Sequence, residues 1–78
     1  MEYNYAKLTG KIVEVCGTRE NYAKAMGWSP KTVTEKLNNN SPFKTTDIEK
    51  TIAVLGIERT EIVDYFFNVK TRKIRAFV

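Results

Sequence analysis

Histidine is absent from this 78-residue chain, and cysteine occurs once. Without histidine there is no Ser–His or Cys–His nucleophile pair and no imidazole ligand for a metal. The lone Cys16 cannot close an internal disulfide, so nothing ties the chain to an oxidising compartment. It falls at the end of an apolar helical face, where it reads as a core residue. No stretch approaches the ~18 consecutive apolar residues needed to span a bilayer. The start, Met-Glu-Tyr-Asn-Tyr, lacks the basic and apolar regions of a secretory signal, so a cytoplasmic location is the expectation. Thr9-Gly10-Lys11 lacks the upstream glycine of a phosphate-binding loop. The acids are scattered over predicted helix surfaces and caps, where Asp47, Glu49 and Glu20 offset helix dipoles. The chain is therefore expected to be no enzyme, to hold no metal or cofactor, and to bind no small molecule.

What is present describes a folded domain. Hydrophobic residues make up 42% of the chain, with four Tyr, four Phe and one Trp, enough for one small core and too much for a disordered segment. The net charge of +4 is unevenly spread. Residues 1–10 balance; residues 11–44 hold six bases (Lys11, Arg19, Lys24, Lys31, Lys36, Lys44) against three acids (Glu14, Glu20, Glu35). Residues 45–67 invert this, with two bases and five acids, and the last eleven residues carry four bases and no acid. A field of that shape turns the middle of the chain toward anionic partners.

Apolar spacing predicts five helices. Tyr5, Leu8, Ile12 and Val15 or Cys16 recur at helical intervals over residues 5–16, with Asn4 as the cap and Gly17 as the stop. Thr18 caps a second helix with almost no linker. Beyond a polar run, Asn38-Asn39-Asn40-Ser41-Pro42, Phe43 is expected to return to the core. Thr46 and Glu49 have the spacing of a capping box ahead of Ile48, Ile52 and Leu55, and Gly56 ends that helix. A last helix runs from about Arg59 or Thr60 to Phe67, and its apolar set (Ile62, Val63, Tyr65, Phe66, Phe67) exceeds what one small core takes. Part of it is expected to meet a second copy, the alternative being that the aromatics fold over the first helix as a lid. In residues 68–78, the β-branched Val69, Thr71, Ile74 and Val78 favour a strand, paired with Tyr3 to Tyr5 or with another subunit, or else the segment is a disordered basic tail.

The most informative stretch is residues 19–38, two short helices joined at Gly27. Tyr22, Ala23 and Met26 share one side of the first; Gly27 supplies the left-handed turn residue; Ser29 caps the second helix and Pro30 occupies its first position. With Val33 and Leu37 facing inward, the opposite arc is Lys31, Thr34, Glu35 and Asn38, flanked by Thr32 and Lys36. Such side chains suit base edges in a DNA major groove, although an ordinary helical hairpin with a solvated face has the same pattern.

The trio Ala23, Gly27 and Val33, with Tyr22, Met26 and Trp28 apolar beside it, resembles the helix-turn-helix of phage lambda-type repressors and Cro proteins. Tyr3 to Tyr5, Leu55-Gly56-Ile57 and Tyr65-Phe66-Phe67 extend the likeness to short phage-encoded Cro/CI-like regulators over about residues 3–67. One departure is Lys36, at a position that is often apolar in these motifs. The resemblance implies a mainly α, compact five-helix lambda-repressor-like bundle at residues 1–67, with a short C-terminal β-strand or tail at 68–78. It implies a sequence-specific repressor that binds double-stranded operator DNA as a homodimer, its two reading helices ~34 Å apart. In that reading Ser29, Lys31, Thr32, Thr34, Glu35 and Asn38 contact bases or the groove. Thr18, Arg19, Lys36, Asn39, Asn40 and Lys44 hold phosphates, and Ile62, Tyr65, Phe66, Ile74 and Phe77 form the dimer. The alternatives on the same fold are a protein-interaction module, such as an antirepressor or adaptor, and an architectural or excision factor.

Overall fold

A computed structural model describes residues 2–69. Among these residues five helices follow one another: α1 (Ala6–Cys16), α2 (Arg19–Met26), α3 (Pro30–Leu37), α4 (Thr45–Leu55) and α5 (Ile62–Phe66), the last preceded by a 3-10 turn at Arg59–Glu61. Extended structure among the described residues is a single antiparallel bridge, Tyr3 with Val69. Of the two partners considered for the C-terminal segment, Val69 thus meets the protein's own N-terminal stretch. Residues 70–78, including Ile74 and Phe77, lie outside the described residues.

Local chemistry sets the boundaries. Asn4 Oδ1 accepts the Ala6 N–H at 2.9 Å, and Thr18 Oγ1 accepts the Asn21 N–H at 3.0 Å, each satisfying an orphan amide of a first turn. Gly27, at φ +78°, turns the chain out of α2, a conformation costly to any residue with a Cβ. Ser29 Oγ then accepts the Thr32 N–H, and Pro30 opens α3. Capping of α4 differs from the Thr46–Glu49 box. The helix begins at Thr45, and Asp47 Oδ2 accepts the Lys44 N–H at 2.9 Å, which leaves Glu49 to pair with Arg59.

The core gathers one face from every helix: Leu8 and Ile12 of α1, Tyr22, Ala23 and Met26 of α2, Val33 and Leu37 of α3, Ile52 and Leu55 of α4, Tyr65 and Phe66 of α5. Phe43, from the α3–α4 loop, packs edge-on against Tyr5 and Phe66 at 5.3 and 5.2 Å between ring centres. This corrects the choice of Tyr65 and Phe66 as dimer residues. Tyr65 and Phe66 are buried in their own subunit as an internal lid, and Ile62 is partly buried against the same core. Val63 in α5 and Phe67 just beyond it, one helical turn apart, are the large apolar residues left exposed there.

One buried polar pair has a pH consequence. The Tyr22 and Thr51 hydroxyls lie 2.7 Å apart between α2 and α4, and Thr51 also reaches the Met26 sulfur. Burial pushes the Tyr22 phenol up from 10.0 to about 12. The unfolded chain therefore releases this proton first. Its contribution is intact below pH 10 and is lost as pH rises toward about 12, at ~1.4 kcal/mol per pH unit. Urea titrations at pH 9 and 11 should show a steeper loss for the parent than for Tyr22→Phe; equal losses would mean that the phenol is not held neutral by the fold.

Candidate interaction surface

Two faces of the bundle carry candidate chemistry, and the first is the outer side of α2 and α3. Val33 and Leu37 point into the core, so Lys31, Thr34 and Asn38 emerge exposed, with Glu35 half-buried beside them. Thr18 and Arg19 are exposed at the start of α2, as are Asn40 and Lys44 beyond α3. The hydroxyls of Ser29 and Thr32 face each other at 3.1 Å inside the cap, and that of Thr18 is engaged by the Asn21 amide.

Two of the expected phosphate contacts are turned inward. Lys36 is 6% exposed. Its Nζ donates to the Pro42 carbonyl at 2.7 Å and to Asp47 Oδ2 at 3.3 Å, and lies over the rings of Trp28 and Phe43. An ammonium enclosed in this way does not reach a phosphate. Asn39 adopts φ +66° and uses its side-chain amide as a strand would use its backbone: Oδ1 accepts the Tyr3 N–H at 2.9 Å and Nδ2 donates to the Tyr3 carbonyl at 3.0 Å. Of the cations expected to grip DNA, Arg19 and Lys44 remain outward.

The second face was not singled out in the sequence. The Asn39–Tyr3 clamp on one side, and the Asn4 N–H donated to the Asn68 carbonyl on the other, hold the N-terminal segment between the α3–α4 loop and the end of α5. The result is a cleft of about 320 Å³ walled by the aromatic rings of Tyr3, Tyr5, Phe43, Phe66 and Phe67, with Ile48 beside them and Asn39 to Pro42 along one lip. Phe67 is 44% exposed and meets the Tyr3 ring edge-on at 5.7 Å. It also lines a shallower neighbouring depression with Lys7, Val63, Asp64 and Val69. Val63 is 64% exposed and Val69 38%, so the cleft continues into an open apolar patch. The only signal for it in the sequence was the surplus of apolar residues in the last helix.

The mixture is an aromatic floor, an apolar shoulder and an amide-rich lip, which suits the apolar centre and polar rim of a protein–protein contact. Burial holds the Tyr5 phenol above its ordinary value, with Tyr3 adding to the effect, so that phenol stays an uncharged part of the wall. Among the described residues no group of three His, Cys, Asp or Glu side chains is placed to hold a metal, and no helix is long and apolar enough to cross a membrane.

Comparison with known proteins bears directly on these two faces. Residues 1–69 match the family described as "Protein of unknown function (DUF739)". The fold superimposes with a TM-score of 0.77 on the solution structure of the modulator of repression of the temperate bacteriophage TP901-1 from Lactococcus lactis. The two are 46% identical over 92% of this chain and 97% of that one. No curated protein matches. The expected Cro-type, operator-binding repressor is corrected here: a relative this similar along nearly its whole length modulates repression and is not itself named a repressor. The inward turn of Lys36 and Asn39 is the physical counterpart, because it strips the expected backbone grip of two members.

Proposed function

The chain belongs to the DUF739 family, and from that premise we propose that it is a phage regulatory protein that modulates repression by docking on a repressor protein. The observation that carries this reading is the 46% identity, across almost the full length of both chains, with a phage modulator of repression. The second face of the bundle supports it. A protein partner is recognised by burying apolar side chains in a shaped recess with a polar rim, and the Phe67 cleft has those parts. DNA would ask instead for a concentrated row of outward cations, and α3 offers Lys31 beside Glu35.

In this mechanism the Asn39 clamp and the Phe43 stack keep the recess formed before the partner arrives, so that less ordering is needed on binding. An apolar side chain of the repressor enters between Tyr3, Phe43 and Phe67, while Asn40 and Ser41 at the lip satisfy polar groups around it. Repression changes because the repressor's own surface is covered or its assembly is altered.

The test uses the purified chain, the repressor encoded by the same phage genome, and that repressor's operator. Gel filtration should show a complex of the two proteins. In mobility-shift assays the chain alone should leave the operator unshifted at micromolar concentration and should alter the repressor's shift when added to it. Tight, salt-sensitive binding of the chain alone, with no protein complex, would overturn the proposal.

A further inference from the structure

Lys36 is the one charged side chain buried among the described residues, at a position where an apolar residue was expected. We infer that Lys36 is a positioning residue of the docking cleft, one that fixes the α3–α4 loop rather than touching the partner; this rests on the docking reading above. Its ammonium is engaged by three separate parts of that loop and the start of the next helix. It donates to the Pro42 carbonyl at 2.7 Å, pairs with Asp47 Oδ2 at 3.3 Å, and sits 5.7 Å from the centre of the Phe43 ring. Trp28, 5.0 Å away, closes the fourth side. The Asp47 oxygen that meets Lys36 also accepts the Lys44 N–H, so one carboxylate ties the end of the loop to the lysine behind it.

Stability alone does not call for this arrangement. A methionine would fill similar space without desolvating a charge, and exchanging a buried ion pair for apolar groups is often neutral or favourable. What the ammonium adds is direction, because its acceptors lie in defined positions and an apolar side chain would allow several loop arrangements of similar energy. The loop so held contains Asn39, whose amide clamps Tyr3, and Phe43, which packs on Tyr5 and Phe66. Lys36 thus grips from behind the same segment whose front forms the cleft wall.

Lys36→Met in the full chain separates positioning from bulk stability. Amide hydrogen exchange at Asn40 and Lys44 should accelerate at least tenfold while Ile12 and Tyr22 in the core keep their rates, and affinity for the repressor of the same phage genome should fall about tenfold. Lys36→Arg, which keeps a cation, should recover part of both. If Lys36→Met does not fold, Asp47→Asn carries the same expectation, since it removes the counter-charge and keeps an acceptor for Lys44. Equal acceleration at every amide, or loop exchange and affinity both within twofold of the parent, would overturn the assignment. Phe67→Glu run in parallel distinguishes the two readings: if it too leaves affinity unchanged, the docking reading fails, and if it alone destroys binding, only the role of Lys36 does.

Discussion

Replacing Phe66 by alanine is expected to remove most of the protein's stability. The ring is 1% exposed and packs edge-on against Phe43. Truncating such a side chain forfeits its transfer free energy and leaves a cavity that a close-packed interior only partly refills, in all about 3–5 kcal/mol. A domain of this size begins near the low end of the usual 5–15 kcal/mol, so urea unfolding of Phe66→Ala should start close to zero denaturant. The neighbouring Phe67→Ala should cost ~1 kcal/mol or less, because that ring is already 44% exposed. The contrast tests the inward assignment of Phe66 directly. Equal losses, or a loss for Phe66→Ala that depends on protein concentration, would return Phe66 to a subunit interface.

These two adjacent phenylalanines also show where a sequence stops being readable. The turn between α2 and α3 was legible because each of its demands is local: a small Ala23, a left-handed Gly27, a capping Ser29, a Pro30 that needs no N–H. The phase of α5 was not. In five residues of helix Asp64 is the single polar mark against which to rotate an apolar set, and what sends Phe66 inward is Phe43, more than twenty positions earlier. Lys36 was read as outward because a charge normally is, and the partners that reverse this, Pro42 and Asp47, stand at spacings that no helical period marks. The start of α4 misled for a different reason. Two overlapping capping patterns were present, and Asp47 with Lys44 displaced Thr46 with Glu49. The function was hidden more deeply still, since a helix arc of Lys31, Thr34, Glu35 and Asn38 is chemically suited to base edges and to a protein surface alike, and the fold does not choose between them.

Phe67→Glu should decide that choice with the largest effect on binding. Phe67 stands where the aromatic cleft opens into the patch of Val63 and Val69, and it contributes to both. A large ring at the centre of an apolar contact belongs to the class of side chains whose loss costs ~2–4 kcal/mol, roughly 30- to 1,000-fold in affinity. A carboxylate there adds a charge that must be desolvated when an apolar partner surface docks. Because the ring is partly in water already, the variant should keep the parent's helical content and most of its stability, with the contact to Tyr3 as the main loss. Titration of the repressor against the variant and against Lys31→Ala then opposes the two faces. Docking through the cleft predicts that Phe67→Glu loses the complex while Lys31→Ala, on the outer arc of α3, stays within a few-fold of the parent. The reverse order would move the contact surface to α2 and α3 and leave the cleft without a role.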